Sequence, residues 1–191
     1  MTLNDFIQFD PSMDSSKQIP NSPGNYFVVI RDINDFPNNG FEVVCKAFKG
    51  MNIVYTGRTG SGLRRRIVAQ HMGYLSGNST LRQSLGCLFR YNQFPRDASN
   101  PNNGHIRFTN ENEITLTEWI KSNLIFYYFP NNNHKAVEDA LIPMLNPPLN
   151  LNGQLSRSNF QFRSYLSALR RAIQWKEVSD EDIDPFAEIK I

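Results

Sequence analysis

The sequence predicts an α+β domain, a small and mainly antiparallel β-sheet covered by helices. Segments 25–31, 51–57 and 124–129 are rich in Tyr, Phe, Val and Ile, the residue types that suit a pleated surface. Helical spacing of apolar residues takes over after residue 62, so the chain lacks the regular strand–helix alternation of a parallel nucleotide-binding sheet. At 191 residues and 40% hydrophobic it can close one core, and one domain is the first expectation.

Residues 1–22 mix Asp, Ser, Asn and Pro with few apolar residues and read as an irregular arm, ended by the turn Pro20-Asn21-Ser22-Pro23-Gly24. The run Tyr26-Phe27-Val28-Val29-Ile30 is continuously apolar, which predicts a strand buried on both faces. A turn-forming loop at 34–40 leads to strand segments 41–48 and 51–57, joined at Lys49-Gly50. Leu63, Ile67 and His71 share one helical face, and Leu81, Leu85, Leu88 and Phe89 repeat the spacing in the next helix. Residues 95–110 form a long Asn-rich loop, a candidate ligand-contacting flap. Thr115-Leu116-Thr117-Glu118 has the pattern of a capping box and predicts a short helix through Trp119 and Ile120. After the strand at 124–129, a helix is expected from His134, stopped or kinked by Pro143. A basic amphipathic helix at 159–175, with Phe162, Leu166, Leu169 and Ile173 inward, precedes an acidic tail. Domain 23–152, with an insertion at 32–50, is thus expected to carry 153–191 packed on the same body.

Charge is unevenly spread. From Val43 through Arg96 there is no Asp or Glu, while Lys46, Lys49, Arg58, Arg64, Arg65, Arg66, Arg82, Arg90 and Arg96 supply nine positive charges. Six of the 18 acids lie in the last fifteen residues, which hides this asymmetry under a net charge of +2. A positive middle points to a polyanionic partner, nucleic acid before others. No apolar run approaches the roughly 20 residues that span a bilayer, and the first residues lack a secretory pattern, so a cytoplasmic protein is expected. Cys45 and Cys87 sit among apolar neighbours, as unpaired thiols do. With His71, His105 and His134 scattered, they cannot assemble a structural zinc site, and any metal should have oxygen ligands.

The densest chemistry lies between Ile53 and His71, where a strand, the loop Arg58-Thr59-Gly60-Ser61-Gly62 and a basic helix follow one another in a phosphate-handling layout. The glycine spacing matches a P-loop, but Leu63-Arg64 stand where Lys and Ser/Thr would be required. Projected as a helix, 134–145 puts Val137, Leu141, Met144 and Leu145 on one stripe, with Glu138 inside it and Asp139 pointing away. A carboxylate directed at a core needs a cation, either a metal or an arginine in a salt bridge. His134 and Glu138 also have the spacing of a helical metal pair, without a visible third ligand.

Gly24-Asn25-Tyr26 heading one strand, Tyr55-Thr56-Gly57 ending a later one, an arginine on the next helix, Glu138 downstream and Asn150 twelve residues beyond it resemble the GIY-YIG nuclease family. The resemblance covers about residues 23–152, with Arg82 and Pro147-Pro148-Leu149-Asn150 similar to its bacterial members. Asn25 and Thr56 replace the usual aliphatic residues, and 31–50 reads as an insertion holding an extra strand pair. The catalytic arginine is Arg65 or Arg66; helical projection favours Arg66, which borders the Leu63/Ile67 stripe.

The resemblance implies a metal-dependent endonuclease acting on DNA, with Glu138 holding Mg²⁺ or Mn²⁺ and Arg66 bound to the scissile phosphate. Tyr55 is expected as general base with Tyr26 beside it, His71 as proton relay or phosphate contact, and Asn150 as orienter of Glu138 or of a phosphate oxygen. Arg58, Arg64, Arg65 and Arg82 are expected along the nucleic acid, double-stranded DNA in the first place, and a palindromic target would call for a homodimer. The alternative is a module of the same fold that binds nucleic acid without cutting it. Restriction, repair and mobile-element roles all stay open, because no base-reading domain is recognisable.

Overall fold

The computed structural model of the protein describes residues 1–74, 76–97, 99–100, 105–153 and 155–171. In chain order the strands are β1 (Ile7–Phe9), β2 (Gly24–Ile30), β3 (Lys46–Phe48), β4 (Met51–Thr59), β5 (Phe94–Pro95), β6 (Ile106–Arg107) and β7 (Leu124–Pro130). The α-helices are α1 (Thr80–Leu88), α2 (Asn110–Asn123), α3 (His134–Leu145) and α4 (Phe160–Arg171). Strands β1, β7, β2, β4 and β3 lie in that order in one antiparallel sheet, and β5 pairs with β6 as a separate ribbon. The predicted class, an antiparallel sheet flanked by helices, is the observed one.

Burial explains the continuous apolar runs. Alternate residues Tyr26, Val28, Ile30, Phe126 and Tyr128 pack into one core with Ile67, Leu85, Leu116 and Leu166. Their neighbours Phe27, Val29, Ile125 and Tyr127 pack on the other face with Leu141 and Leu145 of α3. The central strands therefore have no solvent face on which a polar alternation would appear. Cys87 is buried, Cys45 is partly so, and both are free thiols that burial pushes up in pKa, to about 12 and about 11.

Several expectations change. The arm is not irregular throughout: Ile7–Phe9 pairs antiparallel with β7, with Phe6 and Phe9 buried. The insertion contributes one short edge strand, Lys46–Phe48, instead of a strand pair. Upstream of it the amide of Asn159 takes both Val44 backbone groups, accepting from its N–H at 2.9 Å and donating to its carbonyl at 2.8 Å, as a strand partner would. Helix α2 begins at Asn110, five residues before the predicted capping box. Thr109 caps it by accepting from the Asn112 N–H, and Thr115 donates to the Glu111 carbonyl inside the helix. Helix α3 runs through Pro143 to Leu145 and ends at Asn146, whose φ of 45° is left-handed. Met144 is 46% exposed, and Ile142 joins Leu141 and Leu145 in contact with the fold in its place.

Helix α4 is described to Arg171; the rest of the predicted 159–175 helix and the acidic tail lie outside the described residues, as does part of the 95–110 loop. No helix among the described residues is long and apolar enough to cross a membrane.

Candidate active site

In the β2/β4 pairing Tyr26 stands opposite Gly57 and Val28 opposite Tyr55. Residues two apart share a sheet face, so both tyrosines project to the same side, with ring centroids 6.3 Å apart. Gly57 makes this possible, because a Cβ there would sit 2.5 Å from the Tyr26 hydroxyl. Gly57→Ala is expected to overpack a buried ring and cost about 1–3 kcal/mol of stability, measured by urea unfolding. An unchanged urea midpoint would show that the ring has room.

The next segment is not an α-helix. Residues Arg65–His71 form a π-helix, closed by the Met72 N–H donating to the Ile67 carbonyl at 3.1 Å. Its five-residue hydrogen-bond spacing brings Arg66 and His71 to one point, which the α-helical period would hold apart. Arg66 Nε donates to the Tyr26 hydroxyl at 3.1 Å, and His71 Nε2 lies 2.6 Å from the same oxygen. Arg66 Nη1 also donates to Gln70 Oε1 and the Asn78 carbonyl, both at 2.8 Å, which fixes the guanidinium plane. Arg65, the alternative, is exposed.

His71 is fully buried, and its Nδ1 lies 2.7 Å from Ser79 Oγ. Ser79 also caps α1 by accepting the Arg82 N–H. Burial, then the charges of Arg66 and Arg82, hold the imidazole well below its ordinary pKa of 6.5, so it is neutral at physiological pH. Burial likewise drives the Tyr26 phenol far above the ordinary value, with Tyr55 adding to the shift and Arg66 opposing it. Tyr55 keeps a slight opening to solvent, and its hydroxyl bonds Thr80 Oγ1 at 2.8 Å. Ser79 and Thr80 were not singled out in the sequence, although a Ser-Thr pair before a helical run is a recognisable cap signal.

Glu138 reaches the same place from the opposite layer. With Tyr55, Asp139 and Asn150 it lines a cleft of about 280 Å³, and it lies within electrostatic reach of Tyr26 and Arg66. Arg58 at the end of β4 donates to its carboxylate at 2.7 Å, so the salt bridge weighed from sequence is present. Burial nevertheless raises the Glu138 pKa above its ordinary value.

Other expected contacts are corrected. Asn150 cannot orient Glu138 or a phosphate with its amide, because both ends are engaged by β4: Oδ1 accepts from the Thr56 N–H and Nδ2 donates to the Thr56 carbonyl, each at 3.0 Å. A register slip at Val28/Val29, which leaves Val54 unpaired, lets the Leu149 N–H reach the Val54 carbonyl and docks this segment. Asn150 therefore positions the strand end that carries Tyr55.

Arg82 is fully buried in an ion pair with Glu113 at 2.5 Å and donates to Thr117 and to the His71 carbonyl, so it is unavailable to nucleic acid. Arg64 is exposed, but its guanidinium donates to the Ile19 and Lys17 carbonyls and ties down the arm. The glycine loop offers no phosphate cradle at its helical end, because the Leu63 and Arg64 N–H groups donate to the Ser22 and Pro20 carbonyls.

Among the described residues no three His, Cys, Asp or Glu side chains gather as a metal cage. A single half-buried carboxylate in a cleft that also holds Asp139 is an oxygen-only donor set. That fits a hard divalent cation, which keeps much of its water and takes substrate oxygens.

Two phenols, a guanidinium, a neutral imidazole and a carboxylate brought to the end of an antiparallel pair define a protein equipped for proton transfer beside an anionic group. The GIY-YIG catalytic domain matches residues 24–172, and the chain belongs to the GIY-YIG family. Its domain is therefore a nuclease domain of the endonuclease kind. No curated protein and no solved structure matches the chain.

Proposed function

We propose that the protein hydrolyses phosphodiester bonds of DNA with the help of a divalent cation, in the cleft between the β4 end and α3. The convergence of Arg66 and His71 on the Tyr26 hydroxyl, in electrostatic reach of Glu138, supports this reading most directly.

In this reading Tyr26 is the group that takes the proton of the attacking water. Its raised pKa makes it a phenol, not a phenolate, so it can accept a proton only while passing its own on. The neutral His71 Nε2 at 2.6 Å is the acceptor, and the tautomer with hydrogen on Nδ1 is held by Ser79 Oγ. Tyr55 was the first choice from sequence, but its hydroxyl meets Thr80 Oγ1 and the Arg66 guanidinium, neither of which is a base that can take its proton on. Tyr55 instead borders the cleft and lines the approach of the water.

Arg66 donates to the phosphate as negative charge grows on its oxygens. Glu138, with Asp139 nearby, would hold Mg²⁺ or Mn²⁺, which when bound polarises the phosphate and stabilises the leaving oxygen. Arg58, held at the rim by Glu138, and the exposed Arg65 stand where neighbouring phosphates arrive.

The test is nicking of supercoiled plasmid. Wild type is expected to nick in Mg²⁺ and not in EDTA, and Glu138→Gln is expected to raise the half-saturating Mg²⁺ by about 10–100-fold, the scale on which weakened support of a metal acts. A protein that binds plasmid yet leaves it uncut whichever divalent ion is supplied would instead be a binding module of this fold.

A further inference from the structure

We propose that Arg170, on the C-terminal helix α4, binds a second backbone phosphate of the DNA strand being cut, which makes α4 a wall of the active cleft as well as a cover for the core. The inference rests on the nuclease reading above and extends it to a residue outside the sequence motifs.

Arg170 lines the same cleft as Tyr55, Thr80, Glu138 and Asn150. Its place there is fixed by the anchoring of α4. Phe162 and Leu166 are buried, Asn159 holds the Val44 backbone, and Arg163 donates to the carbonyls of Asn146 and Pro147. The guanidinium donates to Gln83 Oε1 at 2.6 Å, a neutral acceptor, and no carboxylate among the described residues forms an ion pair with it.

That is an unusual setting for a partly buried cation. Arg82 has the carboxylate of Glu113, Arg58 has that of Glu138, and Arg163 is surrounded by carbonyl oxygens. Arg170 is desolvated enough for its pKa to fall, and Tyr55 is within its electrostatic reach. The cleft carries the carboxylates of Glu138 and Asp139, but Glu138 is engaged by Arg58 and neither forms an ion pair with Arg170. This desolvated guanidinium therefore gains from a ligand that brings its own anion, and a phosphodiester offers two acceptor oxygens to its planar fork. Phosphates recur along the strand, so a substrate whose scissile group meets Arg66 carries a neighbouring charge toward the cleft wall.

The experiment measures binding of a short fluorescein-labelled DNA duplex in EDTA by fluorescence anisotropy across a salt series, for wild type, Arg170→Ala, Arg170→Lys and Gln83→Ala. Removing one phosphate contact lowers the slope of log K against log salt by about one unit. Arg170→Ala is expected to show that loss. Arg170→Lys and Gln83→Ala, which keep the cation, should retain the wild-type slope. If Arg170→Ala and Gln83→Ala lower the thermal midpoint alike and both keep the wild-type slope, Arg170 only braces α1 and the proposal is overturned. A wild type that neither binds the duplex nor nicks plasmid overturns the nuclease reading itself, and this proposal with it.

Discussion

Tyr26→Phe is expected to slow Mg²⁺-dependent nicking by about 10²–10⁴-fold, the usual contribution of a positioned acid–base group. The change deletes one oxygen from a fully buried ring and leaves its packing in place, so binding of uncut DNA should be nearly unaffected. Two groups lose their meeting point at once, because Arg66 Nε and His71 Nε2 both address that oxygen. The matching Tyr55→Phe should cost less, since it removes a hydroxyl that meets Thr80 and Arg66 but has no imidazole beside it to take a proton. If Tyr55→Phe is the more damaging variant, the proton goes to Tyr55 and Tyr26 merely holds Arg66.

The pH profile carries the same test. His71 accepts a proton only when neutral, and burial with the Arg66 and Arg82 charges lowers its pKa from 6.5. Activity should therefore stay level as pH falls to 6.5 and drop only below it. A profile already halved at 6.5 or above would assign the acid limb to another group.

Arg82→Ala is the second large effect, and it concerns folding. Glu113, 2% exposed, would be left in the core without its cation, which costs about 3–5 kcal/mol against a typical total of about 5–15. Urea unfolding should show this as a lowered midpoint, accompanied by weaker nicking because Arg82 also donates to the His71 carbonyl. Replacing both members, as Arg82→Met with Glu113→Leu, should recover much of the loss, since an apolar pair of similar size carries no stranded charge. A single-variant loss below about 1 kcal/mol would mean that water reaches Glu113 and relieves it.

The arginines show how far local patterns reach. Arg58, Arg64, Arg65, Arg66 and Arg82 look alike in an acid-free stretch, yet one is the tyrosine's partner, one is buried, one ties down the arm, one pairs with Glu138 and one is exposed. Charge counting treats them as one basic face. Their separation depends on Glu113 and Glu138, which lie 31 and 80 positions away from their partners. Asn150 lines the cleft, and its amide contact lies with the Thr56 backbone, a choice set by the bulge in β4.

Helix α2 illustrates the same limit at short range. Thr115 carries the capping-box pattern, yet Thr109 accepts the Asn112 N–H and starts the helix, while Thr115 donates to the Glu111 carbonyl within it.

What the amino-acid order determined alone was the antiparallel α+β class, the buried central strands and the ordered set of Tyr26, Tyr55, an arginine, His71, Glu138 and Asn150. The class and the buried strands depend on residue chemistry and on periodicities a few positions long, which neighbours along the chain enforce, while the ordered set rests on the resemblance to the GIY-YIG family. Tertiary structure alone decided that Arg66 and His71 share one phenol through a π-helical turn, that Arg82 is withdrawn into the core, and that Arg170 faces the cleft. The reason is that such distances follow from strand register and packing across the whole fold, where a difference of one residue in turn length redirects every side chain that follows.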